Sequence, residues 1–252
     1  MTADVFRLSE APFEPYAGPP GRVDVADVVT VGNSSTIAAG YVETEGGPFA
    51  YRCDYEAVCV PLDDAMTWDT GTGEAATKPG DVIWIPNGGR ASYRSRGVSR
   101  FVYATFPVNW PEIVGWVAGQ DIKDFSMLDD IGELDAVGLA RAGSETEPWQ
   151  SSPRAEGFQH AILTRPRGGA AMTTLALRTS QATTWSLGPG EGLLVVLEGD
   201  VMTRASDDVK QGLGAGDLLW KHAAGVLQLK TWGAARMLSI SAADEHATAA
   251  AH

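Results

Sequence analysis

Short apolar runs alternate with turns from Val28 to Phe106. IAAGYV, EAVCVPL, DVIWIP and RFVYATF are set apart by GPPG, EGGP, TGTG and NGG along this half of the chain. Runs of this length, rich in branched and aromatic residues and bounded by Gly and Pro, predict the strands of a small antiparallel barrel or sandwich. The pattern changes from Pro107 to about Ala142, where apolar residues recur at roughly helical spacing and predict one or two short helices. A polar connector, Ser144 to Arg154, follows. Strand-like runs return from about Phe158: AILTRP, TTLALR, GLLVVLEGD, GDLLWKH, GVLQLKTW and RMLSIS. The expected organisation is an arm over 1–25, a barrel over 26–110, a helical linker over 111–154, a second barrel over 155–242 and a frayed tail over 243–252.

The two strand-rich regions repeat each other. Gly80-Asp81-Val82-Ile83-Trp84 lies over Gly216-Asp217-Leu218-Leu219-Trp220, and Ala57-Val58-Cys59-Val60-Pro61-Leu62-Asp63-Asp64 lies over Leu193-Leu194-Val195-Val196-Leu197-Glu198-Gly199-Asp200. Arg100 falls on Arg236. One constant offset across three segments implies a duplicated domain. The fold expected is all-β, with two jelly-roll barrels, Trp84 and Trp220 on equivalent strands, and a short helical linker.

Composition narrows the functions. The 29 Gly and 14 Pro suit many short strands, and 44% apolar residues suffice for real cores. A net charge of −13 argues against nucleic acid and anionic membranes as partners. The N-terminal MTADVFRLSE has no basic segment leading into an apolar run, so a cytoplasmic protein is expected. Cys53 and Cys59, on one extended strand, would stand roughly 20 Å apart, too far for a disulfide without a sharp bend. No P-loop, GxSxG or CxxC motif supports nucleotide-dependent chemistry or serine hydrolysis.

The strand Leu193–Glu198 running into Gly199-Asp200, followed by Gly214-Ala215-Gly216-Asp217, resembles the cupin superfamily. The first half is more specific. Gly40-Tyr41-Val42, Cys53-Asp54-Tyr55-Glu56, Gly80 to Gly88 and Phe101 through Trp110 resemble the cupin domain of the ethanolamine-utilisation Q protein. The resemblance implies a bicupin. Most cupin enzymes hold a divalent metal with three His and one Glu. Here Glu56 takes the Glu position, but the first two histidine positions fall on Phe49 and Tyr51 or on Ala50 and Arg52, and the third on Ala91. In the second half the corresponding positions fall among Thr184 to Leu187 and on Leu227. The chain's four histidines are His160, His222, His246 and His252. No metal and no other cofactor is therefore expected.

Glu56 is expected to point into the first barrel as a general acid or base, supported by Tyr51 and Arg90. Cys53, Tyr55, Ser92 and Trp84 are the expected substrate-binding residues, with core packing or solvation as the competing reading for each. The leading functional expectation is a metal-independent enzyme using acid–base chemistry on a small organic molecule, an isomerase or lyase. The alternative is a non-catalytic ligand-binding or accessory bicupin, with a metal-dependent dioxygenase third. A small-molecule ligand is the expected partner. A homodimer stays open. The first barrel is expected to carry the function, because the second offers only Glu191 as an ionisable group at the positions matching Tyr51, Cys53, Tyr55 and Glu56.

Overall fold

A computed structural model of the chain describes residues 3–69, 73–116, 138–140, 149–152, 156–164, 171–204, 210–223 and 226–242. In chain order the strands begin with β1 (Ala3–Phe6), β2 (Glu14–Ala17), β3 (Gly21–Val29), β4 (Ala38–Arg52) and β5 (Glu56–Pro61). Next come β6 (Met66–Asp69), β7 (Glu74–Ala76), β8 (Val82–Ile85) and β9 (Arg90–Phe106), then the single-turn helix α1 (Trp110–Ile113) and β10 (Gly138–Ala140). The second half adds β11 (Gln150–Ser151), β12 (Phe158–Thr164), β13 (Met172–Thr179), β14 (Thr183–Leu187) and β15 (Gly192–Glu198). It ends with β16 (Val201–Arg204), β17 (Lys210–Leu213), β18 (Leu218–Lys221), β19 (Leu227–Thr231) and β20 (Ala235–Ala242). Among the described residues no helix is long and apolar enough to cross a membrane.

The chain divides into two units, Ala11–Arg141 and Met1–Glu10 with Ala142–His252. In the first unit the strand order is β10-β8-β5-β9-β4-β3-β2, with β6 and β7 joined to the near half of β9. In the second, β1-β18-β15-β20-β13-β12-β11 forms one sheet and β14-β19-β16-β17 another. The two plans correspond strand for strand. The long β4 and β9 of the first unit each serve both faces of the barrel, and the second unit splits them into β13 with β14 and β19 with β20. In each unit one strand from outside the repeat closes an edge: β10 pairs with β8, and β1 pairs with β18. Covering an exposed edge removes a template for unwanted pairing.

The arm expected over 1–25 is not an arm. Val23 and Val25 are buried on β3, alternating with the polar Arg22 and the shielded Asp24, and the strand pairs along β4. The acid, Pro and Gly content of this segment hid an ordinary period-2 run. The helical linker is corrected at both visible ends: helix begins at Trp110, and Gly138–Ala140 is strand. The rest of that expectation, most of 117–148, and the tail lie outside the described residues.

Trp84 and Trp220 do fall on equivalent strands, since β8 flanks β5 as β18 flanks β15. The repeat is less regular in its facing. Ala57 and Cys59 belong to the first core, but their offset partners Leu193 and Val195 do not belong to the second, which takes Leu194 and Val196 instead. A register shift in the β15–β20 pairing between Val196 and Glu198 accounts for it, because one extra residue exchanges the two faces of a strand.

Candidate functional site

A cavity of about 440 Å³ opens inside the first barrel. It exists because its walls are built from small residues: Val23 and Val25 on β3, Val42 on β4, and Ala57 and Cys59 on β5. The lower end of the barrel is filled instead. Trp68, Phe49 and Met66 are fully buried there, with Trp68 packed 4.8 Å from the Tyr93 ring. At the other end Trp110, at the start of α1, is the hub of a cluster of rings. Tyr16, Tyr55 and Tyr103 meet it at centroid distances of 6.2, 5.5 and 6.1 Å.

The structure brings together only part of the expected site. Tyr51, Cys53 and Tyr55 line the cavity. Glu56 does not: it precedes Ala57 on β5, and alternation turns it to the opposite face with Val58 and Val60, where it is buried. Arg90 and Ser92 fail for the same reason. Ala91 and Tyr93 belong to the barrel core, so the residues on either side of Ala91 face away from it. Trp84 sits between the inward-facing Ile83 and Ile85 and likewise points outward. Four of the seven expected site residues are therefore displaced, each by one position on a strand. Arg52 and Asp54 stand at the cavity and pair with each other at 2.9 Å.

The residues missed by the sequence reading are Tyr16, Asp27, Tyr103, Thr105 and Trp110. Alternation from Val23 and Val25 would have placed Asp27 inward, and alternation from Phe101 would have placed Tyr103 and Thr105 inward. What was not legible is that these meet. Gly40 on β4 is the register partner of both Asp27 on β3 and Tyr103 on β9. A β-carbon there would lie 2.9 Å from the Tyr103 ring. With hydrogen in its place the phenol ring crosses the middle strand, and its hydroxyl donates to the Asp27 carboxylate. Thr105, one step along the same face, is buried, and its Oγ1 has no hydrogen-bond partner among the described residues.

Burial, with a smaller contribution from Glu14, raises the Asp27 carboxyl to about 6. Burial also pushes the Cys53 thiol up to about 12 and carries Cys59, Tyr16, Tyr51, Tyr55 and Tyr93 upward, so these groups keep their protons at neutral pH. Tyr103 donates to the ionised form of Asp27 and favours it. Replacing Tyr103 with Phe is therefore expected to move the Asp27 midpoint upward from about 6. A carbon-detected NMR titration of the Asp27 carboxyl measures it, and an unchanged or lower midpoint would show that the pair is not coupled.

The inward residues do not fit the three-histidine, one-glutamate metal site of most cupins. Phe49, Tyr51 and Ala91 face inward at the histidine positions, and the glutamate faces out. The nearby thiols and phenols would have to lose protons that burial holds on them. Among the described residues no three His, Cys, Asp or Glu side chains group as metal ligands.

A smaller cavity of about 180 Å³ lies in the same unit, lined by Asp27, Thr30, Asn109, Trp110 and Glu112 among others. Asp27 borders this cavity and Tyr103 borders the larger one, so the pair bridges the two. The second unit's interior carries Phe158, Trp185, Leu194, Val196, Leu219, Leu229 and Met237, an apolar packed core.

Comparison with known proteins places this geometry. Residues 14–112 match the family described as ethanolamine utilisation protein EutQ. A curated relative, "Acetate kinase EutQ" of Escherichia coli, is 27% identical over 94 residues, which are 37% of this chain and 40% of that protein. The match thus spans about two-fifths of that relative's length. Among solved structures, a glyoxylate-induced protein from Pseudomonas aeruginosa aligns with a TM-score of 0.66 at 17% identity, covering 96% of this chain and 89% of the other. Salicylate 1,2-dioxygenase from Pseudaminobacter salicylatoxidans aligns with a TM-score of 0.65 at 12% identity, over 99% and 86% of the two chains. At such identities the structural likeness shows the fold alone: tandem cupin barrels, the first related to EutQ.

Proposed function

We propose that the first barrel binds a small organic molecule and transfers a proton on it without a bound metal, as an isomerase or lyase does. Tyr103 is the group that meets the substrate, and Asp27 stands behind it as proton acceptor. The observation that carries this reading is the hydrogen bond from Tyr103 to a carboxyl raised to about 6. A group with a midpoint near working pH exchanges protons in both directions, as general acid–base catalysis requires. When substrate gives a proton to the Tyr103 oxygen, the phenol proton passes to Asp27, and the negative charge moves from the carboxylate to the deprotonated substrate until the proton is returned. Unlike Glu56, both members of the pair lie on inward faces.

The kinase activity that the Escherichia coli relative is named for has less support here. Phosphoryl transfer needs cations around the phosphates. Among the described cavity-lining residues Arg52 is the one cation, and it is paired with Asp54. A non-catalytic binding module is the competing reading, and the same experiment separates the two. Small organic molecules that raise the melting temperature are incubated with the protein in D₂O, and exchange at their C–H positions is followed by proton NMR. Wild-type protein and Glu56→Gln are expected to exchange a bound ligand, and Asp27→Asn is not. Molecules that bind without exchange or turnover would establish the binding module instead.

A further inference from the structure

We propose that the cavity of the first barrel is an aromatic cage for the positively charged head of a small organic ammonium compound. This rests on the reading of the cavity as a ligand site and names the class of ligand.

The case starts from where the rings come from. Trp110 stands at the start of α1, Tyr16 on β2, Tyr55 in the turn between β4 and β5, and Tyr103 on β9, and all four line the one cavity. The Tyr16, Tyr55 and Tyr103 rings are inclined to the Trp110 plane by 70°, 51° and 82°. Edge-to-face rings at such distances touch one another as rings in a core do, and what marks these four as a ligand site is that each also borders the open cavity. Trp116 backs Trp110 in a stacked pair, 5.5 Å apart and 10° from parallel, and holds that wall in place. Each ring face carries the negative side of the aromatic quadrupole. A cation within about 6 Å of several such faces is attracted by all of them, most by tryptophan.

Charge points the same way. Arg52, the one cation among the described lining residues, is engaged with Asp54. Asp27 sits directly behind Tyr103, and its carboxylate makes the phenol oxygen more negative. Val23, Val25, Val42 and Ala57 complete the wall with apolar surface, which suits the methyl or methylene groups around an ammonium nitrogen. A strongly hydrated metal ion would gain nothing from them. The chain's net charge of −13 also draws cations toward the protein.

The test compares choline with 3,3-dimethylbutan-1-ol, its neutral carbon analogue of the same shape, by isothermal titration calorimetry on the full chain. Choline is expected to bind at least about tenfold more tightly, the difference that charge against ring faces makes. Replacing Trp110 with Leu should weaken choline by about tenfold and leave the neutral analogue within about twofold. Where a thermal melt shows that variant unfolded, Tyr55→Leu takes its place. Equal affinity for the two probes, no saturable choline binding, or choline binding unaffected by both ring substitutions would each overturn the ammonium assignment. Deuterium exchange is read separately. Exchange on bound neutral molecules without preference for choline overturns the ammonium class alone. Preferred choline binding with no exchange of any bound ligand overturns the proton transfer and leaves the cation site standing.

Discussion

Replacing Gly40 with alanine is expected to destabilise the first barrel by about 3 kcal/mol or more, one of the larger effects that a single added methyl group can have. A β-carbon at Gly40 would stand 2.2 Å from the Ala26 carbonyl oxygen and 2.9 Å from the Tyr103 ring. The first is backbone on the neighbouring strand and cannot swing aside. Relief requires β3 to move away from β4, against a register that runs from Gly21 to Val29. The second contact pushes Tyr103 off Gly40 and away from Asp27. The variant should therefore lose the coupled Asp27 titration along with stability. Gly97→Ala is the control, because a β-carbon there meets nothing within 4 Å. Its effect should stay within about 0.5 kcal/mol. Denaturant unfolding of both variants measures the difference. A Gly40→Ala protein as stable as Gly97→Ala would mean that the strands are not held as closely as described.

Asp27→Asn is expected to slow ligand proton exchange by about 10²- to 10⁴-fold, the usual contribution of a positioned acid–base group. Asn keeps an acceptor for the Tyr103 hydroxyl, so cavity shape and ligand affinity should change little, while the capacity to take a proton is gone. Stability should move the other way. The folded carboxyl titrates at about 6, above its ordinary value of about 4. Below pH 4 folded and unfolded chains both hold this proton. Between about 4 and 6 only the folded chain holds it, so stability falls as pH rises, and above about 6 the loss is complete, on the order of 3 kcal/mol. Asn carries no charge to desolvate. The variant should therefore be more stable than wild type at pH 8, by about that amount, and equal to it at pH 3.5. Thermal melts at the two pH values decide. A variant that is less stable at pH 8 would show that the Asp27 charge is satisfied rather than strained, and would remove the basis for its role as a base.

The sequence by itself determined the strand runs, the duplication and the class of fold. Period-2 alternation, turn residues and a constant offset are local signals, and they survive without coordinates. It also put Tyr51 at one of the usual histidine positions and singled out Cys53 and Tyr55 as substrate-binding residues, and these three do line the cavity. It did not decide facing. Glu56, Arg90, Ser92 and Trp84 each lie one residue from an inward position, and on a strand one residue is the whole difference between the interior and the opposite face. The same parity shift separates Val58 from its offset partner Leu194. Only the tertiary structure decided the pairing of Asp27 with Tyr103, 76 residues apart in the chain. That contact needs β3, β4 and β9 side by side in one register, with a glycine between the two side chains. No local pattern encodes a hydrogen bond across a third strand, because the strand that permits it does so through the absence of a side chain.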